Sequence, residues 1–211
     1  MRTVDVSVMH EMFISAAECI IEKEPYLTEI DSIIGDGDHG TGMKRGFTAV
    51  KGMLERNTYD SMPELAKAVS IELIRSMGGA SGVIFGTMFF GGISRLTEDS
   101  KADISELADY FYEGEKAIEK RGKSSPGQKT MLDALYPAVC AMKAYDGDDA
   151  AEFFEAAWRA AAAGAEESRN LISRKGRSSN FGDECIGLPD PGAVSTSIIF
   201  EAFYNTVKQM K

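Results

Sequence analysis

Cysteine is too sparse to build with. The chain has three, Cys19, Cys140 and Cys185, at long spacings and with no Cys-x-x-Cys pair. An odd number so spaced argues against both a disulfide framework and a zinc site. No apolar run approaches the ~18 residues of a membrane span, so no membrane insertion is expected. The opening residues, MRTVDVSVMHEMF, contain no apolar stretch of the kind a secretory leader needs. These absences point to the cytoplasm. Strand signals are nearly absent as well: there is no sustained period-2 alternation and no Asp-Gly between β-branched runs. Basic residues are outnumbered, 23 against 33 acidic ones, for a net charge of −10. That balance disfavours nucleic acid or an anionic membrane face as partner. No linker, repeat or low-complexity tract divides the chain, so residues 1–211 read as a single domain.

What is present is helical periodicity. Met9, Met12, Phe13, Ala16 and Ile20 fall on one face of a helix. Ser61, Pro63 and Glu64 form a helix-start signal that predicts a helix to about Met77. Asp103 and Glu106 repeat the capping-box spacing before ELADYFYEGEKAIEK. An alanine-rich stretch, DDAAEFFEAAWRAAAAGAEESRNLIS, predicts a long helix. The last element, AVSTSIIFEAFYNTVKQMK, is expected to bury Ile198, Ile199, Ala202 and Phe203. Ser125-Pro126 reads as the start of a helix that Pro137 kinks. The count is eight helices joined by glycine-bearing loops, an all-α fold.

The densest chemistry lies in IIGDGDHGTG, with Asp31 just upstream. Asp31, Asp36 and Asp38 fall within eight residues that include no lysine or arginine. At ~4 Å apart, each pair would repel by roughly 4 kcal/mol at an effective dielectric near 20. Folding tolerates that if the groups splay into water or share a cation, and Mg²⁺ prefers hard oxygen ligands of this kind. The plainer alternative is a solvated acidic turn in which Asp38 caps the next helix. An EF-hand fails: counted from Asp36, its invariant glycine would be Thr41 and its bidentate glutamate Phe47. His39, Gly40, Thr41 and Gly42 open a helix whose N–H groups suit a phosphate, with His39 otherwise a partner of the nearby carboxylates.

Three further glycine-bearing stretches fall at helix ends. GGASGVIFGTMFFGG offers the backbone of Ala80 and the hydroxyl of Ser81 to a nucleotide, or simply allows tight helix packing. RGKSSPGQKTM invites comparison with a P-loop, but the first glycine of that motif would be Ala117 and no strand precedes it. GRSSNFGDECIGLPDPGA is long for a loop in a compact domain. In it Arg177 suits phosphate oxygens, and Asp190-Pro191-Gly192 is a stiff turn whose carboxylate could bond a base or ribose, or merely cap a helix. Convergence of these helix ends would make a polyphosphate site.

GDGDHGTG, GGASGVIFGT, GQKTMLDALYP, GRSSNFG and LPDPGA occur in the order and spacing of one family. The sequence resembles the ADP-binding L subunit of dihydroxyacetone kinase over residues 4–207. The resemblance implies an eight-helix antiparallel barrel with the nucleotide at one open end. It implies that Asp31, Asp36 and Asp38 ligate two Mg²⁺ ions bridging the phosphates of ADP or ATP, and that His39 to Gly42 hold those phosphates. Ala80 and Ser81 match a second nucleotide loop, Gly122 and Met131 match positions lining the adenine pocket, and Arg177 with Asp190, Pro191 and Gly192 closes the site. Two departures stand out: Gly42 replaces the family's usual asparagine, and Asn180 replaces its usual tyrosine.

The implied chemistry is phosphoryl transfer to a short ketose held covalently on a histidine of a separate K subunit. A phosphocarrier M subunit of the phosphotransferase system recharges the bound ADP in some relatives. No catalytic residue beyond the metal and phosphate site is expected on this chain. Alternatives are a nucleotide-sensing adaptor using the same site, a kinase subunit for a four-carbon ketose, and the nucleotide domain of a fatty-acid kinase, against which His39 argues.

Overall fold

Pro25 shapes the first element of the fold. Helices α1 (Val6–Glu22) and α2 (Glu24–Ile34) are separated by a single residue, Lys23. Hydrogen bonds run through the break, from the Lys23 N–H to the Cys19 carbonyl and from the Leu27 N–H to the Lys23 carbonyl, both at 3.0 Å. Pro25 cannot donate to the Ile21 carbonyl, and its ring crowds that turn. The other helices are α3 (His39–Leu54), α4 (Met62–Ser76), α5 (Gly79–Phe90), α6 (Ile104–Gly122), α7 (Leu132–Ala144), α8 (Ala150–Glu167) and α9 (Pro191–Gln209). This computed structural model describes residues 2–210 and contains nine α-helices among them. With α1 and α2 taken as one broken rod, these are the eight expected.

The rods close into a ring. α1 packs on α3, α3 on α4, and so on in sequence to α8 on α9, which returns to α1. Neighbours run in opposite directions: Gly122 at the end of α6 lies beside Ile84 near the start of α5, whereas Gly114 lies beside Met88. A ring of alternating rods with an even number of members gathers the N-termini of α3, α5, α7 and α9 at one end. At the other end, β1 (Thr3–Asp5) pairs antiparallel with β2 (Lys101–Asp103). These strands have three residues each, too short for an alternating pattern to be legible.

Aromatic rings fill the barrel. Phe13 of α1 meets Phe89 of α5 edge-on at 5.1 Å and Phe203 of α9 at 5.5 Å. Phe111 of α6 and Phe154 of α8 also pack on Phe203. The residues expected on one face of α1 are all buried. In α9, Ile199, Ala202 and Phe203 are buried but Ile198 is only partly so.

The caps follow the sequence with small shifts. Asp103 and Glu106 form the full capping box of α6. Ser61 accepts the Glu64 N–H at 3.4 Å, but the Glu64 carboxylate takes the N–H of Asp60 rather than that of Ser61. The predicted helix start at Ser125-Pro126 is corrected: α7 begins at Leu132. Gly127 and Lys129 have φ of 88° and 58°, conformations no helix accommodates. The Asp133 carboxylate folds the segment back, accepting N–H groups from Gly127 and Thr130.

Pro137 lies inside α7, as expected. It leaves the Asp133 carbonyl without its helical donor. α8 packs onto that carbonyl at Gly164, where a Cβ would come within 2.0 Å of the oxygen.

The core predicts its own fragility. Phe13 is fully buried between two other rings. Phe13→Ala is expected to cost about 3–5 kcal/mol in urea unfolding; a loss below ~1 kcal/mol would contradict a filled barrel.

Candidate functional site

The site begins where α2 ends. Asp31 lies in the last turn of α2, and Gly37, with φ of 73°, turns the chain toward α3. That turn brings oxygens of Asp31, Asp36 and Asp38 to within 4.8 Å of one another. Asp31 is buried, the other two exposed. The His39 N–H donates to Asp31 Oδ2 at 3.0 Å and fixes the carboxylate in place. Burial and the charges of Asp36 and Asp31 raise the Asp38 carboxyl above its ordinary value, opposed by the Arg177 guanidinium. Arg177 Nε lies 3.0 Å from Asp36 Oδ2, but the two side chains are 76% and 39% exposed, so the pair is weak and exchangeable. Three acceptor-only groups at this spacing fit a hard divalent cation that keeps water or phosphate as its remaining ligands.

α3 starts directly on this cluster. A Cβ at Gly40 would fall 2.2 Å from Thr28 Oγ1 and 2.6 Å from the Glu24 carbonyl, so only glycine lets the first turn lie against α2. The Gly40 and Thr41 N–H groups have no preceding helical turn to bond. The Thr41 hydroxyl donates to the Asp38 carbonyl at 3.0 Å, and the Gly42 N–H does so at 2.8 Å. A Cβ at Gly42 would meet the Met77 carbonyl at 3.7 Å and Arg45 Nη2 at 3.9 Å, ordinary contact distances.

The His39 ring is a joint. Its Nε2 lies 2.8 Å from Ser195 Oγ in α9, and the Pro191 carbonyl accepts a hydrogen bond from it. Burial pushes its pKa down to about 4, against the pull of Asp31, so the ring is neutral near pH 7. Phe85 of α5 lies 6.3 Å away, centroid to centroid. One neutral histidine thus joins the start of α3 to that of α9, with the middle of α5 alongside.

The remaining expected residues lie on helix ends and loops at this end of the barrel. Ala80 and Ser81 occupy the first turn of α5, the former exposed, the latter half-buried. No hydrogen bond joins either to the carboxylate cluster among the described residues. Gly122 ends α6 and is half-buried. Met131 is the buried N-cap residue of α7, and Gly192 abuts it. Asp190 caps α9 by accepting the Ala193 N–H at 2.8 Å, with Pro191 in the first turn. The loop carrying Arg177 forms a 3₁₀ segment, Arg177–Cys185, kinked at Gly182. Two groups result: Asp31, Asp36, Asp38 and Arg177 on one side, Met131 with residues 190–192 on the other, joined through His39.

Sequence reasoning missed four contributors. Ser195 gave no local signal, because a serine one turn into a helix is unremarkable until the fold sets it against His39. Arg45 donates to the carbonyls of Ser76 and Met77, closing the end of α4 beside Gly42. Lys129 and Asp133 lie inside GQKTMLDALYP, but their work is done across 39 to 59 residues or within a turn read as helix.

Asp190 makes the site sensitive to pH. Burial, with the Asp133 charge adding and Lys129 opposing, raises its pKa to about 7. The folded protein therefore holds this proton more tightly than the unfolded chain, whose value is 3.8. The resulting stability is full below about pH 4 and is lost as pH rises toward 7. Asp190→Asn keeps an oxygen for the cap and cannot ionise. Urea unfolding of the ligand-free proteins should show the parent losing stability relative to Asp190→Asn across that range, with a slope of at most ~1.4 kcal/mol for each pH unit. A pH-independent difference would refute it.

Comparison with known proteins gives one consistent result. The model of the DAK2 domain matches residues 33–205. The ADP-binding subunit DhaL of the PTS-dependent dihydroxyacetone kinase of Lactococcus lactis is 35% identical over 208 residues, covering 98% of this chain and 100% of its own. The corresponding subunit of PEP-dependent dihydroxyacetone kinase 1 of Listeria innocua is 34% identical over 190 residues, covering 90% of each chain. Among solved structures, the dihydroxyacetone kinase of C. freundii in complex with AMP-PNP and Mg²⁺ superposes with a TM-score of 0.77 at 23% identity. That match covers 94% of this chain and 34% of the longer one, and it shows a shared fold. By the family model and by relatives matched over nearly their full length, this chain belongs to the DAK2-domain family.

Proposed function

We propose that this chain is the nucleotide-binding subunit of a dihydroxyacetone kinase. In this reading it holds a magnesium complex of ADP or ATP at the N-terminal end of α3, α5, α7 and α9. The phosphoryl group passes to a short ketose carried by a separate subunit. One observation carries the reading: Asp31, Asp36 and Asp38 share a 4.8 Å cluster at a helix start, in a chain whose relatives are named ADP-binding subunits.

The three carboxylates would hold two Mg²⁺ ions, which would supply neutralisation of phosphate charge. The protein's own residues bind and orient. At the start of α3 the Gly40 and Thr41 N–H groups would meet anionic oxygens with the helix dipole behind them, while the His39 N–H stays on Asp31 and the Gly42 N–H on the Asp38 carbonyl, so that His39 and Gly42 line the same turn. Ala80 and Ser81 add backbone and hydroxyl contacts from α5. Arg177, weakly paired with Asp36, is free to exchange that carboxylate for a phosphate. Gly122, Met131 and residues 190–192 form the base side. None of these groups takes a proton or forms a covalent bond, so the contribution is positioning and electrostatic stabilisation.

The partners in this reading are a ketose-binding subunit and, in keeping with relatives named PEP- and PTS-dependent, a phosphocarrier that recharges the nucleotide. The reading places all of them in the cytoplasm. Among the described residues, no helix is long and apolar enough to cross a membrane.

Calorimetry tests the site. ADP is expected to bind with excess Mg²⁺ and to lose at least ~100-fold in affinity when the metal is chelated. Asp36→Ala should weaken Mg·ADP binding by at least ~30-fold, about 2 kcal/mol, with little change in thermal stability. Metal-independent ADP binding, or an unaffected Asp36→Ala variant, would refute the ligand assignment. Phosphoryl transfer reconstituted with a ketose-binding subunit then separates a kinase subunit from a sensor built on the same site.

A further inference from the structure

Lys129 is a lysine with almost no surface, 1% exposed. Its ammonium donates to three backbone carbonyls: Ser168 at 2.7 Å, Leu171 at 3.2 Å and Leu188 at 2.6 Å. Those are all three donors the group has. The acceptors stand at the two ends of one loop, the segment from the end of α8 to the start of α9. Burial lowers the Lys129 pKa, an effect that Cys185 and Asp190 oppose.

Other bonds close the same neck. The Arg169 carbonyl accepts the Gly187 N–H at 2.8 Å, and Arg169 Nη1 donates to the Gly187 carbonyl at 2.9 Å. Ser168 Oγ accepts the Asp190 N–H at 2.8 Å. Lys129 differs from these in its origin. It belongs to the segment between α6 and α7, two residues before Met131, and that segment is itself braced: the Arg174 N–H donates to the Gln128 carbonyl at 3.0 Å. Its φ of 58° is a left-handed conformation rare for a lysine, held here by the bonds on either side.

We propose that Lys129 is a positioning residue for the nucleotide: its ammonium closes the neck of the loop over residues 168–190 and thereby sets residues 190–192 against Met131 and holds Arg177 beside the carboxylate cluster. The role rests on the nucleotide reading above. Lys129 is buried too deeply to touch a ligand, and it acts through the loop it pins. Without the ammonium, one buried and two partly buried carbonyls lose a charged donor, and the Leu188 carbonyl is left with no other among the described residues, a larger penalty than the loss of one surface contact. The carboxylate cluster stands outside this dependence, because α2 and α3 build it. A loosened loop also withdraws Arg177 from Asp36, which leaves the cluster more negative and no weaker for a cation.

Lys129→Met keeps the apolar stem and removes the donors. Calorimetry should show Mg·ADP binding 10- to 100-fold weaker. Mn²⁺ binding without nucleotide, read by electron paramagnetic resonance, should be undiminished. Amide exchange should accelerate at least tenfold over residues 171–188 and stay unchanged over residues 24–54. Lys129→Arg, which retains charge and donors, should recover Mg·ADP affinity to within about fivefold of the parent. If Lys129→Met does not fold, Lys129→Gln is measured in the same way. Mg·ADP binding within twofold of the parent despite faster loop exchange overturns the proposal. So does Mn²⁺ affinity falling in parallel with ADP, or an arginine variant no better than the methionine one. A parent protein that binds no Mg·ADP is a different result, because it removes the nucleotide reading itself.

Discussion

Three carboxylates do not gather within 4.8 Å unless the backbone compels them. The compulsion here is local. Asp31 is held by a helix turn, Asp36 and Asp38 by a glycine-broken reversal, and the His39 N–H ties the second helix to the first carboxylate. The electrostatic cost falls partly on the helix dipole of α3 and partly on Arg177. That fixed negative charge lies at the end of the barrel where four helix N-termini gather. His39 stays neutral because it is buried, and so adds a joint without changing the charge balance.

Parity of the barrel multiplies that local device. An even ring of antiparallel rods places four helix N-termini on one side without any further design. In an acidic protein this end becomes the place where fixed partial positive charge is concentrated beside a carboxylate cluster. The aromatic interior supplies the rigidity: Phe13, Phe89, Phe111, Phe154 and Phe203 contact across the barrel, so the rods carry the site at a fixed mutual spacing. The loop between α8 and α9 is the exception, irregular in conformation and dependent on hydrogen bonds at its neck.

Local chemistry is legible in the sequence, and long-range chemistry is not. The crowded aspartates, the capping box at Asp103 and Glu106, and the buried stripe of α1 all lie within a few residues of one another, where spacing alone dictates geometry. Ser195 becomes a partner of His39 only once α9 closes the ring, 156 residues away. Lys129 reads as one more surface cation until three carbonyls from a distant loop are set around it. The start of α7 departs from expectation for a related reason. Proline after serine favours a helix start, but the Asp133 carboxylate offers the preceding N–H groups a better arrangement. The two short strands and the break at Lys23 are products of assembly and of a single proline, and neither has a periodic signature.

Gly164 links the wall of the barrel to its mouth. It seats α8 on a carbonyl that Pro137 has stripped of its donor, and that carbonyl belongs to Asp133. The same residue's carboxylate organises the turn that carries Lys129 and Met131. A methyl group added at this seam would push α8 off the first turn of α7 and disturb the turn that carries Lys129 and Met131. In a genetic screen Gly164 would therefore score alongside the proposed nucleotide positions, although it is not one of them.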